Sequence, residues 1–580
     1  MPSRDTQREL LEKLCRGGML AGARVLADAD LGANWVTKRG IIAAAEGDVV
    51  VNGTTTRLRI GLCPRFPSVL PRIFLHPPDA LGRVPHVERD GYVCFLADEG
   101  IIIDRRDLTS ALERCVELAM MVLSDAGAAN APTEVLREFE AYWLELPRCR
   151  TIDSYIVPDD RARTVTAYLS NDRKYVRVAD GDKAVHAFES GRTTSNLTQR
   201  NALYIPLGAS VGDEPLVPES LLTLEALNSF IERHASADTR KALAGLTKKW
   251  KSEELVVLRI PRPQAGDILV GLAITGIQKA HPLTGGTSSA PLTPLSLDRR
   301  DRAAIMPRGG ASTKLQNTHV LVVGCGSVGS HAATGLAYAG IGRLTLVDPE
   351  SLEAENAFRH AAGVFGEGKA KVDALKLEIE RRIPYVKVAA TRGHIELLLE
   401  AKKLSLSDFD GVVVALGAPT LELIINETLW ESGATSAVFT WLEPEGIGGH
   451  ALLAMSREEK ARGCMACLYA PSEADGAIRN RADFAAPGQS FVRDHAGCGG
   501  RYTSFSALDA RRTADLAVEL LLEALAGEVE GHPLRSWKGD ARRFVAAGYR
   551  TSPRHHLSVD RLRELSCSYA SETCSICGRQ

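Results

Sequence analysis

The stretch His319-Val320-Leu321-Val322-Val323-Gly324-Cys325-Gly326-Ser327-Val328-Gly329-Ser330 decides how this chain is read. Val320 to Val323 predict a short buried strand, the glycines a tight turn, and the small residues from Ser330 to Ala339 a helix. Leu344-Thr345-Leu346-Val347 predicts a second strand, ending on Asp348, 19 residues after Gly329. Together these make a βαβ unit with a nucleotide-binding fingerprint. Gly324 permits the turn, Gly326 lets backbone N–H groups approach a phosphate, and Gly329 lets helix and strand pack closely. The helix N-terminus adds partial positive charge facing the anion. Asp348 stands where a carboxylate can accept hydrogen bonds from ribose hydroxyls.

Around this unit are 580 residues, enough for about three or four domains of ordinary size. Apolar residues make up 45% and the net charge is −2, so bulk charge implies neither nucleic-acid nor membrane partners. The first residues, Met1-Pro2-Ser3-Arg4-Asp5, lack the apolar core of a signal peptide. No run approaches the roughly 18 apolar residues of a membrane helix. Twelve cysteines, four of them in two C-x-x-C pairs, point to thiol chemistry and metal in a cytoplasmic protein rather than to a disulfide scaffold.

Past Asp348 the chain runs Glu350-Ser351-Leu352-Glu353-Ala354-Glu355-Asn356-Ala357-Phe358-Arg359-His360, and Lys369 follows. An Asn, an Arg and a Lys so close behind the acid suit a triphosphate attacked at its α-phosphorus, where charge grows on the pentavalent centre. A hydride-transferring dehydrogenase needs no such cluster and ranks last. Arg299 and Arg302 are further cations upstream of Pro307. From Arg299 to Gln580 the chain resembles the ThiF/MoeB and ubiquitin-activating family, which adenylates the C-terminal glycine of ubiquitin-like proteins. The resemblance maps Gly324, Gly326, Gly329, Asp348, Asn356, Arg359 and Lys369 onto the ATP-binding set. It also implies Mg²⁺ with the nucleotide. The family's Asp-Asn pair after the fourth strand is replaced by Ala418-Pro419, which leaves the holding of magnesium open.

Cys464-Met465-Ala466-Cys467 and Cys574-Ser575-Ile576-Cys577 offer four thiolates, a set that fits tetrahedral, structural Zn²⁺. The 106 residues between the pairs exceed a zinc ribbon, but the family shows the same split arrangement. Between the pairs, Cys498 lies among glycines beside His495, ahead of a helix carrying Ala514, Ala517, Val518, Leu521, Leu522 and Leu525 on one face. In the related activating enzymes a cysteine in this loop takes the modifier from the adenylate, so Cys498 is the expected activating cysteine. Cys567 is its rival, and Cys325 is read as packing.

Upstream, Leu10, Leu11 and Leu14 predict an opening helix, and residues 49–51, 58–62 and 73–75 predict strands. Phe66-Pro67-Ser68-Val69-Leu70-Pro71 forces an extended turn. Residues from Leu108 to Leu123 recur at helical spacing after Gly91-Tyr92-Val93-Cys94-Phe95-Leu96. This α+β pattern resembles the ubiquitin-conjugating fold, in which Cys94 would carry a thioester. Counting back, Val84-Pro85-His86 fills the place of the usual His-Pro-Asn. His86 therefore stands where an oxyanion-stabilising Asn would be, able to donate a hydrogen bond or to act as a base.

The middle offers strands within 163–178, 255–258 and 268–272, helices near 221–231 and 240–246, and no catalytic constellation. Pro282 to Pro294 reads as a linker or loop. The expected architecture is thus an α/β and α+β multidomain chain. Residues 1–150 would form a ubiquitin-conjugating-like domain, 151–295 an α+β connector, and 296–580 a Rossmann-like ThiF-type adenylation domain with a zinc site. That order resembles the fused activating–conjugating proteins of bacterial CBASS anti-phage operons. The resemblance implies ATP-dependent adenylation of a partner's C-terminus and thioesters on Cys498 and then Cys94. Transfer to a target amine follows, with a cGAS-like nucleotidyltransferase as partner and a homodimer as the assembly. A sulfur-carrier activating enzyme and a non-catalytic nucleotide-binding scaffold are the competing readings.

Overall fold

The computed structural model describes residues 3–578 except 33–38, 83, 98–99, 126–130, 190–196, 214–215, 249–250, 263–265, 279, 285–286, 289–291, 433–435, 456–462, 472–475 and 495–500. Two compact units emerge, residues 1–185 with 194–301, and residues 186–193 with 302–580.

The first unit opens with the helix Arg4–Arg16, capped by the Ser3 side chain and burying Gln7, Leu11 and Leu14. It packs on an antiparallel meander of four strands, Ala21–Val25, Ala43–Val51, Thr54–Leu62 and Arg72–His76. The helix Leu108–Asp125 turns Leu112, Cys115, Val116, Ala119 and Leu123 into the same core. Those positions repeat every three or four residues, as one helical face requires. The Phe66–Pro67 peptide in the intervening turn is cis.

The same unit continues into a closed barrel. Its strands run in the order Ile268–Thr275, Thr293–Arg299, Arg150–Tyr155, Tyr175–Ala179, Arg163–Leu169, Thr198–Pro206 and Glu253–Ile260. Closure removes every open edge. Trp143, from the short helix Phe139–Leu144, donates its indole N–H to the Leu295 carbonyl at 3.0 Å and so pins this helix to the barrel. The end of the stretch read as a linker proves to be structure. Thr287–Ser288 pairs with Ile277–Gln278, and Pro294 already sits in a barrel strand opposite Leu272. Leu292, Leu295 and Leu297 are buried there, an apolar signal masked by the neighbouring Gly, Ser, Thr and Pro.

In the second unit a seven-stranded sheet has the order Lys387–Arg392, Arg343–Asp348, His319–Val323, Gly411–Val414, Ser436–Leu442, Gly448–Met455 and Leu534–Lys538. The first five strands are parallel and the last two antiparallel. Strand succession runs outward from His319–Val323 in one direction, then resumes on its other side with Gly411–Val414. That reversal is the topological switch point, where open α/β sheets bind ligands beyond the strands' C-terminal ends. The helix Ala507–Ala526, with a Ser506/Asp509 capping box, covers the sheet through Ala510, Ala514, Ala517 and Leu521. Among the described residues no helix is long and apolar enough to cross a membrane.

Candidate functional site

The glycine loop leaves the strand His319–Val323 at the switch point, and each glycine has its own reason. Gly324 has φ +85°, and a Cβ there would lie 2.5 Å from the Ala415 carbonyl oxygen. A Cβ on Gly329 would stand 1.8 Å from the Gly324 carbonyl oxygen, so only glycine lets the helix approach. At Gly326 a Cβ would meet nothing within 4 Å. Space is therefore left beside the N-terminus of the helix Ser327–Ala339, which has no side-chain cap. Uncapped N–H groups at such an end suit a phosphate.

Two downstream side chains hold this loop. Asp348 is buried and accepts the N–H of Cys325 at 2.7 Å and that of Glu350 at 2.8 Å, one on each carboxylate oxygen. His360 is buried and accepts the Ala362 N–H on Nδ1 at 3.1 Å, which leaves Nε2–H to donate to the Cys325 carbonyl at 2.8 Å. Burial pushes the His360 imidazole down to about 4, which keeps it neutral in this role. Nothing in the sequence marked His360 as a clamp. Cys325 faces the core, its thiol pushed well up by burial and by Asp348.

Asn356 and Arg359 share one turn, in which Arg359 N–H donates to the Asn356 carbonyl at 3.0 Å. The Asn356 side chain caps that turn, accepting the Glu353 N–H at 3.1 Å, and Arg359 lies 5.1 Å over the Phe505 ring. Lys369 is exposed, and the Leu352 N–H donates to its carbonyl at 2.8 Å, just beyond Asp348. Lys371, buried, pairs with Glu350. Of the upstream cations, Arg299 is engaged by Asp301 at 2.8 Å and Arg302 by the Tyr385 carbonyl at 2.5 Å.

Ala418-Pro419 begins the helix Pro419–Ser432, and Glu422 from its first turn reaches back to accept the Gly417 N–H at 2.9 Å. Desolvation pushes this carboxyl up to about 7 against those backbone donors. Gly417, Pro419 and Glu422 help line a cavity of about 720 Å³, together with Trp441, Asp483 and Arg554. Burial, with Glu443 close by, pushes Asp483 up to about 8.

The four paired cysteines converge. Cys464 and Cys574 sulfurs lie 3.7 Å apart, Cys467 and Cys577 sulfurs 3.5 Å, and all four lie within 4.8 Å of one another. A tetrahedral ion with metal–sulfur bonds of about 2.3 Å needs sulfur–sulfur edges of about 3.8 Å, so the set fits a closed four-thiolate site. Arg481 braces it, donating to the carbonyls of Cys467 at 2.7 Å and Tyr569 at 2.6 Å. Cys498 and His495 lie outside the described residues. Cys567 is exposed, on the turn after the helix Val559–Glu564.

Cys94 lies in the first unit, on a small hairpin. Cys94 N–H donates to the His86 carbonyl and Glu88 N–H to the Tyr92 carbonyl, both at 2.8 Å, so His86 and Cys94 face each other across its open end. Gly91 closes the turn at φ +88°, where a Cβ would strike the Leu75 carbonyl oxygen at 2.3 Å. His86 itself has φ +62° and donates its backbone N–H to the Tyr142 hydroxyl at 2.9 Å. The Cys94 residue is exposed, with the Glu88 carboxylate 4.0 Å from its sulfur. Arg39 bridges Glu88 at 2.5 Å and Asp90 at 2.8 Å. Partial desolvation of the sulfur, then Glu88, Glu138 and Glu145, push the thiol up to about 11 against the pull of Arg39.

Comparison with known proteins bears on both halves. The ThiF family matches residues 299–489, and Prokaryotic E2 family B matches residues 27–149. The chain joins a prokaryotic E2-type domain to a ThiF-type domain. The ATP-dependent ubiquitin transferase-like protein Cap2 of Pseudomonas aeruginosa is 25% identical over 475 residues, 79% of this chain and 83% of the relative. Adenylyltransferase and sulfurtransferase uba4 of Aspergillus niger is 32% identical over 173 residues, 29% of this chain and 36% of the relative. Among solved structures, Escherichia coli MccB with succinimide gives a TM-score of 0.32 at 17% identity, covering 46% of this chain and 68% of that one. The ThiF-type half and its adenylyltransferase relatives support an ATP-dependent enzyme. Residues 150–298, the barrel, lie between the two matches.

Proposed function

We propose that this chain uses ATP to activate the C-terminal carboxylate of a partner protein, carries it as a thioester, and delivers it through Cys94 to an amine. The observation that carries this reading is the exposed Cys94 opposite His86 in an E2-type domain, on the same chain as a ThiF-type loop with open space at an uncapped helix end. Gly324, Gly326 and Gly329 shape the phosphate site, Asp348 takes the ribose, and Asn356, Arg359 and Lys369 face the triphosphate with its Mg²⁺. The carboxylate attacks the α-phosphorus and releases pyrophosphate. The thiolate of Cys498, or of Cys567, then displaces AMP. Cys94 accepts the acyl group by transthiolation, which splits one difficult transfer into easier steps.

The four-cysteine cluster holds structural Zn²⁺. On the resemblance to the fused activating–conjugating proteins of CBASS operons, the partner is a cGAS-like nucleotidyltransferase in the cytoplasm and the enzyme acts as a homodimer. Mixing the protein with ATP and that partner should give adducts on Cys94 and on Cys498 or Cys567 that a reductant removes. Conjugation that survives Cys94→Ala would overturn the relay and favour sulfur-carrier activation, the class named in the uba4 relative.

A further inference from the structure

His86 and the carboxylates around it do more than frame a nucleophile. Its Nδ1 lies 3.8 Å from Glu138 Oε1 and its Nε2 4.0 Å from Glu134 Oε2. Both acids come from residues 131–145, which pack beside the hairpin through the bond from His86 N–H to Tyr142. From the same segment Glu145 accepts the Arg89 N–H at 2.8 Å, and desolvation together with Glu88 pushes its carboxyl up. On the hairpin itself stand Glu88 and Asp90. Among the described residues Arg39 is engaged by Glu88 and Asp90, Arg137 by Glu134 at 2.8 Å, and Arg89 of the hairpin reaches the Glu145 carbonyl at 3.4 Å.

A field of this sign opposes an oxyanion and favours a group that becomes positive. Glu138 and Glu134 stand one at each ring nitrogen, where their charge accompanies a proton passing through the imidazole. At 3.8 and 4.0 Å neither carboxylate is within hydrogen-bonding range, so a substrate N–H can still reach the ring. Resting on the reading of Cys94 as a thioester carrier, we propose that His86 is the proton carrier of its aminolysis, serving a lysine-type primary amine, with Glu138 and Glu134 as positioning residues. The amine nitrogen attacks the thioester carbonyl carbon, the C–N bond forms and the C–S bond breaks. The N–H proton passes to His86 and from there to the departing sulfur, leaving an amide and a neutral thiol. An amine that arrives as ammonium first loses one proton to water. Proton delivery to sulfur matters because the Cys94 thiol is pushed up to about 11, and its thiolate is correspondingly a poor leaving group.

The test uses the full-length chain with Cys94 acylated by exchange with acetylglycyl phenyl thioester, located by peptide mass spectrometry at low pH. Discharge is followed with Nα-acetyl-lysinamide, charged at neutral pH, and with hydroxylamine, which is neutral and needs little base. His86→Gln should slow the lysinamide reaction at least tenfold and change the hydroxylamine reaction less than twofold. Glu138→Gln and Glu134→Gln should each slow lysinamide about threefold, with hydroxylamine unchanged as the control for folding. Equal losses with both nucleophiles, as an oxyanion donor or a merely structural residue would give, would overturn the proposal. So would unchanged lysinamide rates, or a Cys94 that refuses the acyl group. Since the acyl group is supplied chemically, failure of ATP and a partner to load Cys94 would refute the relay and leave this assay to judge His86.

Discussion

Alkylation of Cys94 offers the most direct check on the electrostatics of the hairpin. The thiol stands at about 11 against an ordinary 9.0, a difference of two units. At pH 8 this leaves about a hundredfold less thiolate than a free cysteine has. A more basic thiolate is intrinsically more reactive, by about six- to tenfold for two units at a Brønsted slope of 0.4–0.5. Iodoacetamide should therefore modify Cys94 about tenfold more slowly than an unstructured cysteine peptide, although the residue is exposed. Its rate should still be climbing at pH 10. The readout is the Cys94 peptide by mass spectrometry across pH 7–10. Glu88→Gln removes the nearest carboxylate, 4.0 Å from the sulfur. A charge at that distance contributes about 1 kcal/mol in a water-like medium, which gives about fivefold more thiolate at pH 8. The less basic thiolate is about twofold less nucleophilic, so the variant should react about two- to threefold faster. A rate that matches the free peptide, or a plateau near pH 9, would show that the acidic ring does not control this sulfur.

Other expectations follow from the second unit. Glu422 stands at about 7 in the fold against 4.5 when free, so its carboxyl stabilises the protein while protonated, below about pH 4.5. That contribution, about 3 kcal/mol in full, is lost as pH rises through 7. Glu422→Gln should flatten the fall in denaturant stability between pH 4.5 and 7 relative to the parent, and an unchanged slope would contradict it. Gly329→Ala places a Cβ 1.8 Å from the Gly324 carbonyl oxygen, forcing helix and loop apart at a cost of about 1–3 kcal/mol. Calorimetry should then show ATP binding lost or weakened at least tenfold. Purified protein should hold one zinc per chain by elemental analysis. Cys464→Ser should release that zinc and lower Tm by at least about 5 °C, more than a surface change would.

What could be read in advance was whatever carries a local steric or chemical demand. The glycines at 324 and 329 were legible because no other residue fits those turns, and the C-x-x-C pairs because four thiols need a common partner. The opening helix and the helix 108–125 announced themselves by apolar spacing. Closure of the barrel was not legible, since it depends on Thr293–Arg299 pairing in parallel with Arg150–Tyr155, far away in the chain. The Pro294 segment was hidden for the same reason, since its place opposite Leu272 is set by a partner strand and not by local spacing. Around Cys94, Glu134 and Glu138 look like ordinary helix-surface acids 40 and 44 residues downstream, and only the fold brings them to His86. Glu422 and His360 were equally inconspicuous, because their work is done through backbone groups and those leave no trace in residue spacing.

Asp348 has a consequence for how nucleotide binding should be interpreted. Its two oxygens grip the N–H groups of Cys325 and Glu350, which ties the loop before the helix to the turn after the next strand. The loop therefore meets its ligand already rigid, and little ordering entropy is lost on binding. Asp348→Asn would set an amide against one of those N–H donors and loosen the cradle. The resulting loss of affinity would report slackness in the receptor as much as any missing bond to a sugar.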